Sequence, residues 1–183
     1  MSVRSGILAV LSLGPAYGSQ VHGEVETRMH RVGQINVGQI YSTLDRLQSQ
    51  GFVMSEGMTR DGLPLYALTA RGRVEVETLV STADAGCTWS DFVGHVLLVA
   101  SLPGVPVDDL LRAYREAFLE DEPPAGGTSE EPLAALGQKA SRILSGSALA
   151  WLDEVQQVLS TTELARPLAS MRPRRGRRPR EAS

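Results

Sequence analysis

The chain holds a single cysteine, Cys87, in 183 residues. One thiol excludes an internal disulfide framework and fits a reducing cytoplasm. No apolar run approaches the ~18 residues that a membrane-spanning helix needs. The opening residues, MSVRSGILAVLSLG, set a basic residue ahead of an apolar run as a secretory signal does. That run is only as long as an h-region, and Pro15 and Tyr17 stand where small cleavage-site residues belong. A buried first helix accounts for it. The three histidines, His22, His30 and His95, lack metal-ligand spacing, and no carboxylate–cysteine cluster joins them. Cys87 has no basic neighbour in sequence to activate its thiol. Neither a Ser/His/Asp set, paired carboxylates nor a phosphate-cradling loop is present, so no enzyme activity, cofactor or metal is expected.

What is present is ordinary in bulk and unusual in distribution. Hydrophobic residues make up 42% of the chain, as in a globular protein. The net charge of −3 is the sum of three unlike parts. Residues 1–73 carry seven basic and five acidic residues, net +2; residues 74–171 carry five and fifteen, net −10; residues 172–183 carry six and one, net +5. The middle repels polyanions, and both ends can meet one.

Residues 36–51, NVGQIYSTLDRLQSQG, form the stretch on which the rest is organised. Asn36 is an N-cap residue, with Gln39 three positions on to close a capping box. Ile40, Leu44 and Leu47 share one helical face, and Gly51 stands where a left-handed C-terminal cap falls. The opposite face carries Gln39, Ser42, Arg46 and Ser49, with Asp45 the one acid. Gln and Arg on such a face can read base edges in a DNA major groove. Taken alone this is the pattern of any solvated surface helix. The context decides.

Before it, residues 3–13 are expected to form a buried helix ended by Gly14-Pro15. A second helix runs from Gly18 or Ser19 to about His30, with Val21, Val25 and Met29 inward. The three short-linked helices make a helix-turn-helix core. After it, residues 52–58 and 65–68 have strand character around the turn signal Arg60-Asp61-Gly62, and Pro64 opens the return strand. A hairpin directly after a recognition helix is a wing, and Arg60 at its tip is set to meet phosphate or a minor groove.

Thr69 is an N-cap for a fourth helix. An apolar run over 89–102 and an amphipathic helix over 107–120 follow. Residues 121–132, DEPPAGGTSEEP, are a linker on composition. A long helix over 133–160 carries the stripe Leu136, Ile143, Leu144, Ala148, Trp151, Val155 and Val158, with a candidate kink at Ser145-Gly146-Ser147. This half has more apolar surface than a three-helix head can cover, so a second copy is expected. Arg172 to Arg180 packs six arginines into nine residues and cannot bury a core. It resembles an AT-hook, an Arg-Gly-Arg flanked by prolines, with an extra Arg on each side; Arg174, Arg175, Arg177 and Arg178 then meet the minor groove or phosphates alone.

The first ~70 residues resemble the PadR family of winged helix-turn-helix transcriptional regulators. The resemblance is carried by Ile7-Leu8, Gly14-Pro15-Ala16-Tyr17-Gly18, Val37-Gly38-Gln39-Ile40-Tyr41, Leu44, Arg46-Leu47, Gly51-Phe52-Val53, Tyr66-Ala67-Leu68-Thr69 and Gly72-Arg73. Residues 74–160 are similar, more loosely, to the α-helical half of the longer members, where Ala150-Trp151-Leu152-Asp153-Glu154 resembles the last helix. The resemblance implies a cytoplasmic, nucleoid-associated homodimer, usually a repressor, on a palindromic operator in double-stranded DNA. It implies that Tyr41 and Ser42 touch DNA at the head of the recognition helix. Where the family opens its second helix with Gly-Tyr, this chain has Gly18-Ser19, with Tyr17 one step before; Tyr17 either replaces that backbone contact or packs.

The expected fold is therefore mainly α with a small β-hairpin: a winged helix-turn-helix domain over 1–73, an α-helical dimerisation domain over 74–165, and an Arg-rich tail over 166–183. Trp89, Phe92 and Trp151 are flat apolar rings suited either to lining a pocket for a small aromatic effector or to a dimer core. Two other functions stay open on sequence: an architectural, nucleoid-type protein of low sequence specificity, and an adaptor that keeps the winged fold without the DNA.

Overall fold

A computed structural model describes residues 2–120 and 131–169. The arginines at 174, 175, 177 and 178, and most of the linker, lie outside the described residues. Two compact units divide the described residues: Ser2–Val76 together with Pro167–Ala169, and Glu77–Arg166. The first boundary lies three residues beyond the expected one.

In the first unit, α1 (Val3–Leu11), α2 (Gly18–Arg28) and α3 (Val37–Ser49) pack against one another. Ile40, Leu44 and Leu47 of α3 are all but fully buried, as their spacing requires, among Ile7, Leu8, Leu11, Val21, Val25 and Met29. Each such side chain contributes roughly 1.5–3 kcal/mol of burial. At Gly6 the close approach of α1 to α2 is set by absence of a side chain, because a Cβ there would stand 2.7 Å from Met29 Sδ. Asn36 caps α3 by accepting the Gly38 N–H at 2.7 Å. At the other end Gly51 takes φ +74°, Phe52 N–H donates to Leu47 O at 2.9 Å and Gly51 N–H to Gln48 O at 3.0 Å. That paired pattern is a Schellman stop, for which a left-handed residue is needed. The end of α2 repeats it with His30 at φ 53°, held there by Arg31 N–H to Glu26 O at 2.8 Å.

The wing follows. Strands β2 (Val53–Met58) and β3 (Pro64–Leu68) pair antiparallel from Val53↔Leu68 to Met58↔Pro64, with a bulge between Ser55 and Met58 where Gly57 has φ +96°. The turn closes by Thr59 N–H to Leu63 O at 2.8 Å, with Gly62 at φ +78°. A strand not expected from the sequence, β1 (Ala16–Tyr17), pairs with the other edge of β3, giving the order β1-β3-β2. Helix α4 (Ala70–Ser81) starts at Thr69, whose hydroxyl donates to Gly51 O at 2.7 Å. A Cβ at Gly72 would overlap the Phe52 carbonyl oxygen, so only glycine lets α4 lie this close.

In the second unit, α5 (Trp89–Ala100), α6 (Val107–Glu120) and α7 (Pro132–Thr161) share a core of Phe92, Val96, Val99, Leu110, Leu111, Tyr114, Phe118, Ala148, Leu152 and Val155. Thr88 caps α5 by accepting the Asp91 N–H. The expected stripe of α7 is only half inside. Ala148 and Val155 belong to the core, whereas Leu136, Ile143 and Leu144 are 64%, 61% and 49% exposed, and Leu133, outside the expected stripe, is exposed too. The reason is length: α7 has 30 residues against 14 in α6, so its first half outruns its partner. It passes through Ser145-Gly146-Ser147 as one helix. Among the described residues no helix is long and apolar enough to cross a membrane.

His95 sits inside this unit. Its Nε2–H donates to Leu79 O at 2.9 Å, which leaves Nδ1 to accept the Tyr114 hydroxyl at 2.7 Å. Burial pushes its pKa down to about 4, against the weaker opposing effect of the Leu79 carbonyl. Above about pH 6.5 the ring is neutral whether folded or not. Between there and about 4 the unfolded chain gains a proton that the folded unit refuses, so stability falls as pH falls through that window. We expect acidification across it to cost the unit about 3 kcal/mol at most. His95→Gln should flatten the profile of urea midpoints between pH 7.5 and 4.5, and an unchanged profile would assign the acid sensitivity elsewhere.

Candidate nucleic-acid interface

The outer face of α3 is set by what its inner face buries. With Ile40, Leu44 and Leu47 fixed inward, Gln39, Ser42, Arg46 and Ser49 stand exposed, as does Asp45. Thr43, which is buried, donates its hydroxyl to Gln39 O at 2.7 Å and accepts Arg46 Nη2–H at 3.2 Å. The guanidinium is thereby steered while most of its five N–H donors stay open to a ligand. Ser42 Oγ donates to Gln39 O at 3.1 Å, a bond it can exchange for an external acceptor. The sequence reading missed Thr43, although its place three residues before Arg46 was a usable signal.

Tyr41 lies at the head of the same face. Its side chain is part exposed, and its ring covers Gly18 so closely that a Cβ at that position would collide with three ring atoms. The first turn of α2 therefore sits beside Tyr41, with Ser19 exposed on it and no acidic residue among its first positions. A helix start of this kind favours an anionic neighbour. Tyr17 is different: it pairs with Leu65 in β1 and is 6% exposed, and burial raises its phenol pKa. The Tyr17 ring is packed in the sheet and all but closed off from solvent. Arg60 is exposed at the wing tip beside Asp61.

Two supports were not legible in the sequence. Glu26 Oε1 accepts Gly33 N–H at 2.7 Å and Ile35 N–H at 3.4 Å, and His22 Nε2–H donates to Ile35 O at 2.7 Å. Together they fix the turn that aims α3. Arg71 donates to Gln50 O at 2.8 Å at the end of α3 and lies 4.2 Å from the centre of the Phe52 ring, which Arg4 also approaches, at 4.8 Å. Cation–π contacts of this kind hold the junction of helix and wing.

The aromatic trio divides. Phe92 is buried, its ring 5.1 Å from Trp151 and 5.5 Å from Trp89. Trp151 lines a pocket of ≈ 210 Å³ with Leu97, Ala100, Glu154, Val155, Val158 and Leu164. Phe92 serves as core.

Three helices, the third offering a polar outer face, and a hairpin after it define the class: a winged helix-turn-helix protein. Residues 7–78 match the model of the transcriptional regulator PadR-like family. The chain is similar to Bacillus subtilis PadR, solved with operator DNA, at 14% identity over 83% of this chain and 96% of that one, TM-score 0.41. The same protein solved with p-coumaric acid matches at 18% identity over 86% and 98%, TM-score 0.39. A third structure, smu.1604c from Streptococcus mutans UA159, matches at 26% identity over 87% and 97%, TM-score 0.41. The comparison with curated proteins found no match.

The Glu26 turn gives a direct test of how α3 is aimed. Glu26→Ala leaves the Gly33 and Ile35 amides without this acceptor and should destabilise the first unit by about 1–3 kcal/mol. A urea midpoint unchanged from the parent would show that the turn holds itself.

Proposed function

We propose that the chain is a dimeric, sequence-specific transcriptional repressor that binds a palindromic operator. The observation that carries this is the outer face of α3, where Gln39, Ser42 and a Thr43-steered Arg46 stand clear of the core on a helix whose inner face is locked. Arg bidentate to guanine and Gln to adenine are the side-chain pairings that such a face supports. Tyr41, Ser19 and Arg60 flank it as backbone contacts, which position the protein without reading sequence. Arg174, Arg175, Arg177 and Arg178 add phosphate contacts.

For dimerisation the support is the exposed stripe of α7, Leu133, Leu136, Ile143 and Leu144, which a second copy would cover. On this reading residues 1–73 bind DNA, residues 74–165 pair the subunits, and two recognition helices meet half-sites about 34–36 Å apart. For a small aromatic effector the support is the pocket beside Trp151, which has room for a single ring. The competing reading, an architectural protein of low specificity, is favoured only by the arginine-rich tail.

Fluorescence anisotropy at physiological salt separates the two. DNA from just upstream of the gene should bind ~10³-fold or more tighter than random duplex of equal length, while equal affinities would establish the architectural reading. Arg46→Ala should then lose about 1–3 kcal/mol on the preferred DNA and little on random duplex. Equal loss on both would reduce Arg46 to a phosphate contact.

A further inference from the structure

Along α2 one stripe is neither part of the apolar core nor of the face beside Tyr41. Gln20, Glu24 and Arg28 recur every fourth residue, and Glu24 and Arg28 are each only 2% exposed. Arg28 Nε–H donates to Glu24 Oε2 at 2.6 Å, an ion pair out of water in which remaining donors and acceptors must be met. Residues 167–169 help to meet them. Arg28 Nη2–H donates to Pro167 O at 2.9 Å, Ala169 N–H donates to Glu24 Oε1 at 2.9 Å, and Gln20 Nε2–H donates to Ala169 O at 2.8 Å. Three successive polar side chains thus grip backbone groups of a short segment about 140 residues away in sequence. Leu168 adds an apolar contact near Gly14.

We propose that this stripe is a docking site for the chain's own residues 167–169, and that docking launches the arginine-rich segment 172–180 onto DNA beside the recognition helix. The second half of the inference rests on the DNA-binding reading above. Gln20, which holds Ala169, is the immediate neighbour of Ser19 on the first turn of α2. From Ala169 the chain reaches Arg172 within about 10 Å and Arg180 within about 40 Å at full extension, a little more than one turn of duplex. The point of departure matters for charge as well. The tail leaves beside residues 2–76, of net +1, and not from residues 77–166, of net −9, which would compete with DNA for six arginines. An anchored tail also meets its phosphates at a higher effective concentration than one released from residue 166.

The test uses the full chain, the chain ended after Ala169, and Ala169→Pro and Ala169→Gly in each. Proline removes the N–H given to Glu24, and glycine keeps it. Amide exchange without DNA should show Ala169 protected in the parent; an unprotected Ala169 overturns docking whatever DNA does. Gln20→Ala, which leaves the buried pair untouched, should reduce that protection. On the preferred duplex, Ala169→Pro should lower affinity about five-fold in the full chain, Ala169→Gly should not, and neither should matter in the shortened chain. A proline effect of equal size in both lengths, or none in the full chain, overturns the launching role. Failure of every version to bind DNA at low salt overturns the DNA reading and the launching role together, while a protected Ala169 still establishes the docking site.

Discussion

The peptide at Gly51–Phe52 is the constraint on which the first unit depends. Three elements meet there within one residue of one another. The Gly51 conformation ends α3, the Phe52 carbonyl accepts the Thr69 N–H at 3.0 Å, and the same carbonyl leaves room for α4 only because residue 72 is glycine. The Phe52 ring supplies the apolar surface on which Arg4 and Arg71 lie. Orientation of α3 relative to the wing is therefore decided by a few backbone atoms and one aromatic ring, not by the polar residues that face outward. Those polar residues are free to vary in chemistry without disturbing the frame.

Much of this frame was legible in the sequence because its signals are local. Asn36 and Gly51 mark the ends of α3, Gly62 and Pro64 mark the wing turn and return strand, and each does so through backbone conformation at its own position. The three-helix core followed from spacing alone. What escaped was held by long-range backbone hydrogen bonds, which leave no periodicity. β1 is two residues long and exists only because β3 offers an edge. The grip of α2 on residues 167–169, which were expected in the tail, looks in the sequence like any polar helix face. Tyr17 looked as suited to DNA as to packing, since an aromatic hydroxyl serves both. In α7 the stripe was legible but not how much of it α5 and α6 cover, because periodicity gives the direction of a stripe and not the length of the neighbour beside it.

The two buried polar clusters show different solutions to one problem. His95 and Tyr114 are neutral and satisfy each other inside the helical unit, so burial costs little but makes the unit sensitive to acid. Glu24 and Arg28 remain an ion pair and draw on distant backbone for further partners. A charged pair that needs a covering segment ties the order of that segment to the integrity of the helix beneath it, which a neutral pair does not.

The uncovered first half of α7 has a consequence for how such a regulator responds to its own abundance. A stripe containing Leu133, Leu136, Ile143 and Leu144 is not at rest in water. In the dimeric reading it is hidden only when two chains meet, so below the dimer dissociation constant the active species grows as the square of chain concentration. Occupancy of the operator then changes more steeply than synthesis does, and a small change in protein level acts as a threshold. That sharpness comes from the mismatch between a 30-residue helix and its 14-residue neighbour, without any ligand or second site.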